Sequence, residues 1–168
     1  MPDMKAIKQA SGLRFLWLTL ALIVLDQLTK QWVIRVFDLY ESINVMPFVD
    51  FTYVRNYGAA FSFLADQSGW QRWLFTGLAI AVSIVLIIWL RRNAASLWRQ
   101  NLAFALILAG ALGNVLDRMM YGYVIDFIDV HANGWHWPAF NIADMAISVG
   151  AVLMLLEAFF EQRQEPAK

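Results

Sequence analysis

The stretch Trp70-Gln-Arg-Trp-Leu-Phe-Thr-Gly-Leu-Ala-Ile-Ala-Val-Ser-Ile-Val-Leu-Ile-Ile-Trp-Leu90 decides the fold class of this chain. It carries no charged side chain after Arg72, and its length is close to the ~20 apolar residues with which a helix crosses a hydrocarbon core ~30 Å thick. Three further apolar stretches occupy residues 12–36, 102–120 and 142–160. Because a backbone inside a bilayer must satisfy its own hydrogen bonds, we expect four transmembrane helices.

The composition of the whole chain also indicates a membrane protein. Of its 168 residues, 60% are hydrophobic, and 8 Trp and 12 Phe exceed what an ordinary soluble domain of this size carries. The net charge of zero gives no basic surface for nucleic acid. The absence of Cys excludes thiol nucleophiles, thiolate metal sites and disulfides. No internal repeat is evident, so we interpret residues 1–168 as one integral membrane domain.

Basic residues predict how the chain is oriented in the membrane. They cluster before the first apolar stretch, between the second and third, and after the fourth: Lys5, Lys8, Arg14, Arg91, Arg92, Arg99, Arg163 and Lys168. Such ends face the cytoplasm, so both termini should be cytoplasmic and the first and third connections should lie outside. Within the first stretch, the uncharged run after Arg14 ends in Asp26-Gln-Leu-Thr-Lys30 without a small-residue cleavage site, which favours an uncleaved helix over a signal peptide.

The outer connections carry strand signals of their own. Residues 45–55 and 123–130 are rich in Val, Phe, Thr and Tyr, so we expect two strands in a small sheet on the outer membrane surface. Residues 57–66 suit a short interfacial helix. The predicted fold is therefore an all-α membrane protein of four transmembrane helices, with a small β-sheet and a short interfacial helix on the outer side. Aromatic side chains should lie at headgroup level: Trp70, Trp73, Trp135 and Trp137.

Asp126 and Asp144 are the acids that most need an explanation. A carboxylate beside hydrocarbon is costly, so it is either paired or present for chemistry. Asp126 lies in a short strand-like run, and Asp144 opens the fourth apolar stretch. Asn141 followed by Asp144 resembles a helix capping box, which alone would explain Asp144. Because Asp126 reaches the same membrane face on the other side of a loop, we interpret the two acids as a pair.

A carboxylate pair of this kind suits acid–base chemistry. Two carboxylates held close together cannot both ionise cheaply, so they share a proton. One can then take a proton from a water that attacks a peptide carbonyl, while the other protonates the carbonyl oxygen. Asp144 is the expected ionised member, because the N-terminus of a helix favours an anion.

Other polar residues have structural explanations beside the functional ones. Asp26 and Lys30 are four residues apart and can form an ion pair at the outer end of the first helix, where positioning is its expected role. Asn56 could cap a turn or contact a substrate, and Gly58 would let a backbone approach closely.

The third apolar stretch combines small and polar residues. Ala109 and Gly113 form a face for close helix packing. Asn114 and Arg118 lie one turn apart and could hold a carboxylate or a peptide carbonyl, or could belong to a structural hydrogen-bond network that includes Asp117.

Five sequence blocks together closely resemble, in order and spacing, the bacterial lipoprotein signal peptidase (signal peptidase II) family. The blocks are Asp26-Gln-Leu-Thr-Lys30, Asn56-Tyr-Gly-Ala-Ala-Phe61, Gly110-Ala-Leu-Gly-Asn114 with Asp117-Arg118, Val124-Ile-Asp-Phe127 and Phe140-Asn-Ile-Ala-Asp144. The resemblance implies a four-helix aspartic peptidase of the bacterial inner membrane. Such an enzyme removes the signal peptide of a diacylglyceryl-modified prolipoprotein by cutting before the lipidated Cys.

The resemblance also implies roles for single residues. Asp126 and Asp144 match the catalytic pair, and the active site should lie toward the periplasm. Further positions match polar residues that orient substrate or the pair: Asp26, Asn56, Asn114, Arg118 and Asn141. We expect no metal or organic cofactor and no obligate protein partner, only lipid-modified substrate and membrane lipid. His131 and His136 fit solvent or interfacial positions rather than a metal site.

Three other functions deserve comparison. A proton-coupled transporter subunit would place acids at mid-membrane, whereas Asp126 and Asp144 fall at the edges of their stretches. A non-catalytic assembly factor would bind partner helices through its small-residue faces and would tolerate replacement of both acids. A Ser and Lys hydrolase is weaker still, because Lys30 has no Ser at suitable local spacing.

Overall fold

The computed structural model describes residues 10–58 and 69–164, and within these ranges it contains four long helices and one small sheet. A short 3-10 helix, Gly12–Phe15, leads into helix α1, Leu16–Val36. The other helices are α2, Trp70–Arg92, α3, Trp98–Met120, and α4, Ile142–Gln164. Each helix is long and apolar enough to cross a membrane. The prediction of four transmembrane helices with a small sheet is therefore confirmed.

The sheet is a four-stranded antiparallel sheet in the order β1-β2-β3-β4. Its strands are β1, Ser42–Met46, β2, Val49–Asn56, β3, Val124–Ala132, and β4, Trp135–His136. The strand predicted over residues 45–55 is confirmed from Val49 onward as β2, but residues 45–46 belong to β1 and residues 47–48 form the turn of the β1–β2 hairpin. Pro47 lies in that turn, where it has no N–H to donate to a ladder. The predicted helix over residues 57–66 falls mostly outside the described residues.

A glycine directs the chain from α3 into β3. The last turn of α3 closes with hydrogen bonds from Tyr121 N to Asp117 O (2.8 Å) and from Gly122 N to Arg118 O (3.2 Å). Gly122 then adopts φ 86°, a left-handed conformation that costs glycine little. Strand β3 starts two residues later and thus begins close to the outer end of α3.

The sheet is fixed to the outer end of α1 by a small apolar core. Two side chains of α1 and its cap, Val33 and Phe37, pack against buried residues of β2 and β3: Tyr53, Ile125 and Phe127. These five side chains are at most 6% exposed, so this end of the sheet cannot shift without opening the core.

Helix α3 is the central helix of the bundle. In its most apolar segment, 67% of the residues are buried inside the protein, compared with 17 to 22% in the other three helices. Small residues let α4 approach it closely. A methyl group on Gly110 would collide with the Ala143 carbonyl oxygen, and one on Gly150 would lie 2.8 Å from the Ala103 carbonyl oxygen. Gly113, expected on the packing face, lies against Asp26 and Ala143. Close packing thus brings the start of α4 against α3.

Candidate active site

Asn141 and Asp144 form a reciprocal cap at the start of α4. The Asp144 backbone N–H donates to Asn141 Oδ1 (2.9 Å), and the Asn141 backbone N–H donates to Asp144 Oδ2 (3.3 Å). The helix therefore begins with the capping box that the sequence suggested as one explanation of Asp144. The cap leaves Asp144 Oδ1 available, and this oxygen accepts a hydrogen bond from Asn114 Nδ2 of α3 (2.8 Å).

Asp126 lies in β3 and is 2% exposed. Its Oδ1 accepts a hydrogen bond from Asn141 Nδ2 (2.7 Å), and its Oδ2 accepts one from Asn56 Nδ2 (3.0 Å). Asn141 thus binds Asp126 through its amide nitrogen and the Asp144 backbone through its amide oxygen. One side chain therefore links the two acids.

Amides rather than cations hold the carboxylate pair. Each of the four carboxylate oxygens accepts one N–H, and no Lys or Arg of the described residues forms an ion pair with Asp126 or Asp144. Burial, and next the nearby charge of Asp144, raise the pKa of Asp126 to about 8, while the amides of Asn56 and Asn141 act in the opposite direction. Burial and the neighbouring carboxylate thus favour the protonated form of Asp126.

A buried ion cluster lies directly behind the pair. Lys30 Nζ lies 2.8 Å from Asp26 Oδ2, 2.8 Å from Asp117 Oδ2 and 3.1 Å from Asn114 Oδ1. Asp26 and Lys30 thus form the ion pair that their spacing suggested, and Asp117 is its third member. Because all three ammonium protons have acceptors, Lys30 is not poised to act as the base of a Ser and Lys hydrolase.

The cluster also contacts the backbone beside each acid of the pair. Asp26 Oδ1 accepts the Ala143 N–H (2.9 Å), and Asp117 Oδ2 accepts the Ile125 N–H (3.1 Å). Gln27 was not predicted as a site residue, yet it donates to Asp117 Oδ1 (2.8 Å). Its position between Asp26 and Lys30 was the only signal in the sequence.

Arg118 contacts a peptide carbonyl rather than the carboxylates. Its Nη2 donates to the Gly58 carbonyl oxygen (2.8 Å), and the Gly58 N–H donates to Asn56 Oδ1 (2.9 Å). This small turn orients Asn56 so that its Nδ2 faces Asp126. The structure thus connects all nine residues singled out from the sequence in one network: Asp26, Lys30, Asn56, Gly58, Asn114, Arg118, Asp126, Asn141 and Asp144.

Two cavities open beside Asp144. One, of about 360 Å³, lies between α2, α3 and α4 and is bordered by Asn56, Asn114 and Arg118 as well as apolar side chains. The other, of about 400 Å³, lies between α4 and the segment that precedes it, where Trp137, Phe140 and Met145 line it. Both are mostly apolar with a few polar groups, which is typical of ligand sites.

The two His residues lie away from the acid pair, His131 near the far end of β3 and His136 in the edge strand β4. His131 Nε2 lies 3.2 Å from Asp50 Oδ1, and His136 Nδ1 lies 2.9 Å from Asp129 Oδ2. In the described part of the chain, no three His, Asp or Glu side chains are arranged as a metal site.

Comparisons with known proteins all indicate the same family. Residues 18–160 match the family model described as signal peptidase (SPase) II. The lipoprotein signal peptidase of Shewanella sp. (strain MR-4) is 55% identical over 158 residues, which cover 94% of this chain and 93% of that protein. That of Shewanella halifaxensis (strain HAW-EB4) is 57% identical over 149 residues, covering 89% and 88%.

Solved structures agree with the sequence relatives. A bacterial membrane enzyme solved by the in meso method at 2.3 Å resolution superposes with a TM-score of 0.82 at 29% identity, covering 92% of this chain and 93% of that one. A second bacterial membrane enzyme, solved at 1.9 Å resolution, gives a TM-score of 0.75 at 31% identity over 86% and 92% of the two chains. With a family model that spans most of its length and relatives more than half identical to it, the chain belongs to the signal peptidase II family.

Proposed function

We propose that the chain is an aspartic endopeptidase that removes the signal peptide of diacylglyceryl-modified prolipoproteins, with Asp126 and Asp144 as the catalytic pair. Removal of a prolipoprotein signal peptide follows from the family. One observation supports the aspartic mechanism most: Asn141 joins the two buried acids, and each of their oxygens accepts one N–H.

The protonation of the pair assigns a role to each acid. Asp126 carries a proton at neutral pH, because burial raises its pKa to about 8. Asp144, at the N-terminus of α4, is the ionised member. Asp144 takes a proton from a water as the water oxygen forms a bond to the scissile carbonyl carbon, and Asp126 protonates the carbonyl oxygen. The C–N bond then breaks as the proton held by Asp144 passes to the leaving amine, while one hydroxyl of the tetrahedral intermediate returns its proton to Asp126 as the new carboxyl group forms.

The substrate reaches this site along the membrane. A prolipoprotein is anchored by its signal helix and its acyl chains, so the enzyme needs to align only one peptide bond. The two apolar cavities beside Asp144 suit such a substrate. We expect lipid-modified prolipoprotein and membrane lipid as the partners, and no obligate protein partner, metal or organic cofactor.

The chain should lie in the bacterial inner membrane with both termini in the cytoplasm and the site toward the periplasm. Arg91 and Arg92 end α2, and Arg99 lies in the first turn of α3. Asp117 lies near the other end of α3, next to the strand that carries Asp126. These three Arg residues and the acid pair are therefore at opposite ends of the bundle, so the positive-inside rule supports a periplasmic position for the pair.

The alternatives find no support. A proton relay through the membrane would need free acids along the helices, but Asp26 and Asp117 share Lys30. An assembly factor would not need a buried carboxylate pair.

A cleavage assay tests the proposal. Purified protein in detergent is incubated with a diacylglyceryl-modified prolipoprotein, and mass spectrometry locates the cut. The wild type should cut before the lipidated Cys, and Asp126→Asn and Asp144→Asn should each lose at least about 100-fold in kcat/KM, since each removes one proton-transfer group. Asp129→Asn is the matched control, because Asp129 lies in the same strand but contacts His136.

Two outcomes would contradict the proposal. If the wild type did not cut a substrate that another member of the family cuts, the chain would not have the activity. If either variant still cut at a rate similar to that of Asp129→Asn, the pair would not be the catalytic group.

A further inference from the structure

The buried ammonium of Lys30 is not used by the mechanism above. Lys30 is 0% exposed, and its three protons bind Asp26, Asp117 and Asn114. It does not border either cavity beside Asp144. Substrate therefore does not reach it, and its role must be exerted through its neighbours.

Two of these neighbours hold the backbone of the catalytic residues. Asp26 binds the N–H of Ala143, the residue before Asp144, and Asp117 binds the N–H of Ile125, the residue before Asp126. Asp26 belongs to α1 and Asp117 to α3, while the two backbone segments belong to α4 and β3. Lys30 joins these contacts at a single atom, so it links the backbone beside both acids.

The third neighbour, Asn114, has its amide orientation set by Lys30. An ammonium can only donate, so the Asn114 atom that faces it must be Oδ1. Asn141 Nδ2 donates to the same oxygen (3.3 Å). Asn114 Nδ2 is thereby directed to Asp144 Oδ1. A flipped amide would set its oxygen against the carboxylate and its NH₂ against the ammonium, and both contacts would be repulsive.

We propose that Lys30 is a positioning residue for the peptidase reaction: it fixes the spacing of Asp126 and Asp144 through Asp26 and Asp117, and it turns the Asn114 amide so that it donates to Asp144. This inference rests on the proposed function. The competing explanation is that the ion cluster only stabilises the fold, as buried ion pairs can.

The two explanations differ in what they predict for folded protein. Lys30→Met removes the donors but leaves two buried carboxylates without a cation, and this variant could fail to fold. Asp26→Asn/Lys30→Met solves that problem, because the cluster keeps its single net negative charge while the donor is lost. Both are compared with Asp26→Asn and the wild type after size exclusion has isolated the folded fraction.

If Lys30 positions the pair, its loss should lower kcat by about 10- to 100-fold, the range typical for partners that orient a reacting group. KM should change by less than about threefold, since binding groups are intact. The acid limb of the pH–rate profile should move to higher pH, because Asp144 then lacks a directed donor for its ionised form. Asn101→Ala is the control for a purely structural role. Asn101 is fully buried near the other end of α3, where its Nδ2 donates to the Ala94 carbonyl oxygen (2.9 Å), so only the melting temperature should fall.

A double-mutant cycle tests the route through Asn114. The cycle is made in the Asp26→Asn background: if Lys30 acts partly through that amide, the loss in kcat from combining Lys30→Met with Asn114→Ala should be smaller than the product of the two separate losses by about fivefold or more. The proposal is overturned if folded Asp26→Asn/Lys30→Met keeps the kcat and pH profile of Asp26→Asn, or if the losses multiply without coupling. An inactive wild type would instead contradict the proposed function.

Discussion

The residues around the acid pair show why amides suit this site. An Arg or Lys in contact with both carboxylates would favour ionisation of both, and the pair would lose the shared proton. Asn56, Asn114 and Asn141 donate hydrogen bonds without adding a charge. The nearest guanidinium, that of Arg118, binds the Gly58 carbonyl oxygen instead. The amides thus hold the two carboxylates in place without adding a positive charge beside them.

The raised pKa of Asp126 predicts a pH dependence of activity. Burial raises this pKa to about 8, so Asp126 is protonated below that pH and loses its proton as the pH rises through it. The proposed mechanism needs one proton on the pair, and kcat/KM should therefore fall about tenfold per pH unit above pH ~8. The measurement is the pH–rate profile of the wild type between pH 6 and pH 10.

The melting temperature at each pH is the control, because unfolding would also lower the rate. Asp129→Asn should give the same alkaline limb as the wild type, since Asp129 lies outside the pair. A rate that stays constant up to pH 10 in folded protein would show that Asp126 does not carry the reacting proton.

Site residues could be recognised from the sequence where their neighbours along the chain explain them, and not where a contact between distant helices does. Asp126 and Asp144 stood out because an acid beside an apolar stretch needs an explanation wherever it occurs. The capping box at Asn141 is equally local, and the structure contains it. Asp117 as a partner of Lys30 was not predictable, because the two residues meet only when α1 and α3 pack at one particular rotation.

Among the elements, α3 and α4 determine the position of Asp144. Gly110 lies against the Ala143 carbonyl group. A methyl group added to Gly110 would also lie only 2.6 Å from Ile147 Cγ1. Ala143 is adjacent to Asp144 and is also the residue whose N–H Asp26 binds. Any change that separates these two helices should therefore move Asp144 away from Asn114 and lower activity as well as stability.

Gly110→Ala tests this dependence. The methyl group would push α4 away from α3, at a cost of about 1 to 3 kcal/mol of folding free energy as is typical of overpacking. We expect a lower melting temperature and a kcat reduced about 10-fold or more, the size of loss known for small misplacements of reacting groups. Thermal unfolding and cleavage rates of purified variants measure both effects.

Gly77→Ala is the matched control, because Gly77 also lies inside a helix but has no atom within 4 Å of an added methyl group. It should leave kcat unchanged and stabilise α2 by about 0.5 to 1 kcal/mol. If Gly110→Ala behaved like Gly77→Ala, close contact between α3 and α4 would not be what positions Asp144.

The strands of the sheet were easier to predict from the sequence than the register in which they pair. Residues 123–130 were predicted as a strand and lie almost wholly in β3. That this strand shares a sheet with residues 45–55 was also predicted, and β2 pairs with β3. The register of the pairing was not predictable, because it sets Arg55 opposite Ile125 across the whole of α2 and α3. This pairing places Asn56 beside Asp126, so a contact within the site depends on long-range register.

At the scale of the whole molecule, the two ends of the bundle differ in chemistry. One end carries Arg91, Arg92 and Arg99, and the other carries the acid pair, the buried ion cluster and the sheet. The four helices were predictable from hydropathy because length and apolar character are properties of each segment alone. The orientation of the bundle rests on the basic residues and can be tested directly.

Because the chain contains no Cys, single Cys variants report the orientation without interference from other thiols. Ala132→Cys places a thiol at an exposed position at the end of β3, and Ser96→Cys places one at an exposed position between α2 and α3. A membrane-impermeant maleimide should label Ala132→Cys in spheroplasts but label Ser96→Cys only after permeabilisation, since basic ends stay in the cytoplasm. The reverse pattern would place the acid pair on the cytoplasmic side, where a substrate that has already been exported could not reach it.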